Sequence, residues 1–121
     1  MYRLGIIEES LDDNKILEKY KEYIYSRRIE EIPDDEFPIW HIDEYRVPNE
    51  KMSELLSILK EHIKLTWYIH AFDENELIII FKGKYFEIST EKDDSWNAMI
   101  EYGVNIAQVE GHFLENIPLK I

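Results

Sequence analysis

The chain has 121 residues, no cysteine, and 26 acidic against 14 basic side chains, for a formal net charge of −12. That composition excludes disulfides, thiolate metal sites and a cysteine nucleophile, and a field of that sign repels phosphate, so neither a nucleic acid nor an anionic membrane is an expected partner. With 45% hydrophobic and 13% aromatic residues, the chain carries enough apolar surface to fold as a single domain over residues 1–121.

No apolar run approaches the ~18 residues of a membrane span, and the start lacks the pattern of an export signal, so a cytoplasmic protein is expected. Residues 3–7 predict a strand. Ser10 and Asp13 make a capping-box-like start for a helix, continued at helical spacing by Ile16, Tyr20, Tyr23, Ile24 and Arg27. The five acids and two prolines between Glu30 and Pro38 predict a loop. Ile39 to Val47 alternates as a strand, and Asn49 is placed to cap a second helix with Met52, Leu55, Leu56, Leu59, His62 and Ile63 on one stripe. Thr66 to Phe72, Leu77 to Phe81 and Lys84 to Ile88 read as strands, the last two joined by a turn at Lys82-Gly83. Trp96, Met99, Ile100, Gly103, Val104 and Ala107 mark a third helix, in which Gly103 implies close approach of a neighbour. Residues from His112 to Ile121 are expected to add an edge strand. This order predicts an α+β fold: a mixed β-sheet with three helices mainly on one face, a two-layer sandwich.

Chemistry-bearing motifs are scarce. The glycines at 5, 83, 103 and 111 stand alone, so neither a dinucleotide fingerprint nor a phosphate-binding loop is present, and no serine sits in a nucleophile elbow. Asp34-Asp35-Glu36 and Asp73-Glu74 lack the ligand spacing of a calcium loop, so no metal and no cofactor are expected. His62 lies on an apolar helical stripe and His112 follows a glycine in a predicted loop, positions that suit packing and solvent. His41 and His70 fall on predicted strands. Alternation puts His41, Asp43 and Tyr45 on one side of their strand, opposite Trp40, and Tyr68, His70 and Phe72 opposite Trp67. If both tryptophan-bearing sides pack under helices, one sheet face collects His41, Asp43, Tyr45, Tyr68 and His70, with Tyr85 and Glu87 alongside. Such a set would supply a base, a carboxylate and hydrogen-bond donors to a small enzyme or ligand-binding site; the plainer reading is a solvated sheet face. The aromatic residues around 25–40 give a second reading, a surface for a partner or a homodimer.

The runs Trp67-Tyr68-Ile69-His70-Ala71-Phe72 and Ile80-Phe81-Lys82-Gly83-Lys84-Tyr85-Phe86, followed by Trp96 and Tyr102-Gly103, resemble a group of short uncharacterised proteins from Gram-positive bacteria. That resemblance covers about half the chain and implies no activity and no site residues. The functional expectation therefore rests on charge: a non-enzymatic acidic interaction module, antitoxin-like or immunity-like, for a basic protein.

Overall fold

The computed structural model describes all 121 residues. Six strands, β1 (Tyr2–Ile7), β2 (Ile24–Glu31), β3 (Ile39–Val47), β4 (Ile69–Phe72), β5 (Leu77–Phe81) and β6 (Lys84–Ile88), form one sheet ordered β2-β3-β1-β4-β5-β6. Three α-helices accompany them: α1 (Asn49–His62), α2 (Trp96–Asn105) and the single turn α3 (Gly111–Leu114). The α+β class is the one the element order implies. Every neighbouring pair of strands is antiparallel, so the sheet is not mixed. The reason is topological: the chain leaves β3 through α1 and returns as β4 on the far side of β1, antiparallel to it.

Helices cover both faces rather than mainly one. On one face, α1 contributes Met52, Leu55, Leu56 and Leu59 to a core with Leu4, Ile6, Tyr45, Val47, Ala71, Ile78 and Ile80. On the other, α2 and α3 bring Trp96, Met99 and Leu114 against Phe72, Leu77, Ile79 and Phe81. The cause lies in β5, whose five consecutive apolar residues are all buried and project to both sides, so each side needs a cover. The domain is thus three layers deep over β4–β6, with no helix of the second layer over β1–β3.

The Lys82-Gly83 turn is present, with Gly83 at φ 89° as the left-handed position requires. Gly103 also meets its expectation. A Cβ there would sit 2.4 Å from Leu114 Cδ1 and 2.7 Å from Phe81 Cζ, so α2 lies on the sheet only because the side chain is a hydrogen atom.

Pro48 rather than Asn49 stands at the N-cap of α1, and the strand expected from Thr66 begins only at Ile69; two further predicted elements change type. The first helix is a 3₁₀ helix, Asn14–Tyr23, capped by Asp13, which accepts from the Lys15 amide at 3.0 Å; Ser10 instead turns its hydroxyl back to the Ile7 carbonyl. From Ile24 the chain is β2, which pairs with β3 after an irregularity at Tyr25. The β-branched and aromatic run Tyr23-Ile24-Tyr25 suits a strand as well as a helix stripe, and pairing with β3 decides between them. At the other end, residues 112–121 add no strand: α3 is followed by irregular chain that buries Leu114 and Ile117 in the second core.

Candidate functional site

The four residues His41, Asp43, Tyr68 and His70 do not share a face. In the register of β1, Ile6 faces Asp43 and Gly5 faces His70. Consecutive β1 residues point to opposite sides, so His41 and Asp43 belong to the α1 face and Tyr68 and His70 to the α2 face. Alternation within a strand is readable from sequence, whereas the phase of one strand against another is not. The assumption that both tryptophans pack under helices also fails: Trp40 and Trp67 meet each other at 5.2 Å, half-exposed.

On the α2 face, His70 stacks on Phe72 with centroids 5.7 Å apart and donates from Nε2 to the Lys120 carbonyl at 2.9 Å. Burial holds its pKa below the usual histidine value, while the Lys120 bond pulls the other way. The hydrogen bond from the imidazole to the Lys120 carbonyl and the stacking on Phe72 account for its position. Tyr68 packs at the margin of the second core, and burial raises its phenol pKa.

On the α1 face, His41 and Asp43 join two residues that the sequence reading passed over, Glu8 and Glu9. The Glu9 carboxylate accepts from the His41 backbone amide at 2.7 Å and meets its Nδ1 at 2.6 Å. The hydrogen bond and charge of Glu9 raise the His41 pKa. Burial pushes the Glu9 pKa up, but the bonds to His41 outweigh it and leave it lowered. Asp43 is buried, and its pKa is pushed up to about 6 by that burial and by the Glu8 charge beside it, against the pull of Arg27 at 3.3 Å. Burial, with the Asp43 charge adding to it, lifts Tyr45 to about 12. Its neighbour in sequence, Glu44, is buried on the opposite face, where Arg3 at 3.1 Å and Arg46 at 2.9 Å hold its pKa down despite burial. Glu8 and Glu9 lie on the short 3₁₀ turn that ends β1; their adjacency to β3 depends on the β1–β3 register, which no local signal announces.

Chemically, a His–Glu pair and a protonatable carboxyl are acid–base equipment. They are nevertheless arranged as paired charges on a strand, with Asp43 under Arg27. An open cleft of about 610 Å³ lies elsewhere and is lined by Arg3, Asn49, Phe72 and Asp73 among others. No group of three or more His, Cys, Asp or Glu side chains is disposed to hold a metal ion.

A different surface stands out on α2 and α3. Between residues 85 and 119 the chain has seven acids, all exposed, and a single lysine. Among them Val104, Ile106, Phe113 and Leu119 are exposed by 40–56%, with Leu65 at 45%. Glu101 is one helical turn before Val104, and Glu110 sits at the start of α3 beside His112, 3.4 Å away. The Thr66 amide donates to the Ala107 carbonyl at 2.8 Å, bringing the chain next to Leu65 against the chain next to Ile106. Thr66 and Gln108 flank this bond at φ 74° and 62°. Left-handed backbone is costly for a β-branched residue and concentrates where a surface is held for use. Sequence shows these acids as part of a diffuse charge; in the fold Glu101 and Glu110 are the two placed on α2 and at the start of α3, beside exposed apolar residues.

No helix is long and apolar enough to cross a membrane. Comparison with protein-family models, with curated proteins and with solved structures returns no match.

Proposed function

We propose that this chain is an acidic interaction module that binds a basic protein through the α2–α3 surface, in the manner of an antitoxin or immunity protein. One observation carries the reading: residues 85–119 hold seven exposed acids and one lysine, and in the same stretch Val104, Ile106 and Phe113 are exposed, with Glu101 one turn before Val104 and Glu110 at the start of α3. Apolar anchors inside a charged rim are the anatomy of a protein-binding patch, and a rim of one sign steers and selects a partner of the other. The acid–base alternative loses the four-residue set it was built on, since Tyr68 and His70 lie across the sheet from His41 and Asp43.

Affinity capture from source-cell lysate at low and high salt tests this, with the double variant Glu101→Lys/Glu110→Lys and the single variant Phe113→Ser run beside the native chain. The expected result is a basic protein held at low salt, released at high salt, and lost by both variants. Retention of no basic protein, or retention that both variants leave unchanged, would overturn the proposal.

A further inference from the structure

We propose that two copies of the chain pair edge to edge through β2, antiparallel about Ile29, to form one continuous twelve-stranded sheet. β2 pairs with β3 alone and is one of the two edges of the sheet, the other being β6. An edge strand presents an unpaired row of backbone donors and acceptors to any strand that can match it. Most of β2 is exposed, including Tyr25 at 60% and Ile29 at 65%.

Its central run, Arg27-Arg28-Ile29-Glu30-Glu31, is complementary to itself when reversed. With Ile29 on a two-fold axis, Arg28 lies opposite Glu30 of the second copy and Arg27 opposite Glu31 of the second copy, each twice by symmetry. Residues directly opposite must share a sheet face, so the axis has to pass through a residue rather than between two. Moving it to Arg28 sets that arginine against itself; moving it to Glu30 does the same for the acid. Parallel in-register pairing juxtaposes every like charge. Opposite-charge cross-strand pairs stabilise and like pairs destabilise, so charge selects one register. Arg27, Ile29 and Glu31 would line the α1 face, where Ile29 covers Ile29 of the second copy; Arg28 and Glu30 would line the other.

Existing contacts are compatible with this. Arg28 is 3.0 Å from its own Glu30 and Arg27 is 3.3 Å from Asp43, so the charged ends are already held near the edge. The net charge of −12 on each copy opposes association, which places the dimer in the weak class of small interfaces.

Sedimentation velocity across the micromolar to sub-millimolar range tests the pairing. Variants are confined to Arg28 and Glu30, because Arg27 neutralises buried Asp43 and its loss would confuse folding with pairing. Circular dichroism confirms that each variant is folded. Native chain should show a reversible monomer–dimer equilibrium. Arg28→Glu and Glu30→Arg should each weaken it tenfold or more, and an equimolar mixture of the two should restore a heterodimer. Net charge alone predicts otherwise: Glu30→Arg reduces the mutual repulsion and would strengthen association. Arg28 also reaches the Ile121 carbonyl at 3.4 Å, a contact that Glu30→Arg leaves alone. A native chain that stays monomeric would overturn the proposal and mark the charges as protection of the edge. So would a dimer indifferent to both variants, or an edge that takes up only a different chain.

Discussion

β5 and β2 belong to the same sheet and obey opposite rules. β5 is Leu-Ile-Ile-Ile-Phe, every residue buried, with α1 on one face and α2–α3 on the other. β2 has four charged residues in eight and is mostly exposed. Where two helical layers enclose a strand, alternation disappears, because neither face meets water. Where a strand is an edge, charge takes over, both to keep the chain soluble and to control what pairs with it. Between these extremes β3 buries Asp43 and Glu44 on opposite faces, and each is neutralised by arginine from a neighbouring strand or from its own.

The sharpest way to break this contrast is at its apolar end. Phe81 is fully buried and packs against Phe86 and Tyr102 at 6.2 and 5.8 Å. Phe81→Ala should therefore cost about 3–5 kcal/mol, transfer and cavity terms together. Denaturant unfolding followed by tryptophan fluorescence checks it, and a loss below about 1 kcal/mol would show that the three-layer core is not the stable end of the molecule.

Gly103→Ala addresses the same core by crowding it. Alanine is the better helix former by about 1 kcal/mol, yet its methyl would collide with Leu114 and with the buried ring of Phe81. Overpacking of that kind costs about 1–3 kcal/mol, and crowding should outweigh propensity because Phe81 has no free space to enter. A lowered melting temperature is the expected outcome; a raised one would mean that α2 can lift from the sheet.

The same two ends explain what was legible in the sequence. The bounds of β3, β5 and β6, the stripe of α1, and the close approach at Gly103 are all local signals, each set by a residue and its neighbours within a turn or a strand. What escaped was relational. Tyr23-Ile24-Tyr25 fits two periods until β3 is there to pair with it, and the faces of β3 and β4 are phased only through β1. Glu8 and Glu9 become partners of Asp43 and His41 by the same route. The α2–α3 patch is assembled from segments that sequence displays as separate acidic stretches.

The smallest of the expected effects sits where the charged end meets the core. Asp43 has a native pKa raised to about 6 from an ordinary 3.8 by burial and by Glu8, with Arg27 opposing. A carboxyl raised on folding favours the native state most when protonated, so its contribution falls as pH climbs from about 4 to about 6 and is flat above. Arg27→Gln removes the opposing charge, raises the native pKa further and extends that fall to higher pH. The variant should be nearly neutral at pH 4, where Asp43 is protonated in both native proteins, and destabilised by about 1 kcal/mol at pH 8, the modest size following from the 64% exposure of the Arg27 side chain. His41, raised by Glu9, adds stability that is present below 6.5 and lost as pH rises through its native value, and Glu9, lowered, adds stability that is lost as pH falls. Both are present in the two proteins, with His41 also responding to the Asp43 charge, so the variant is compared with the native chain at each pH. Equal destabilisation at the two pH values, measured by urea unfolding, would mean that Arg27 acts through strand packing and not through the buried charge.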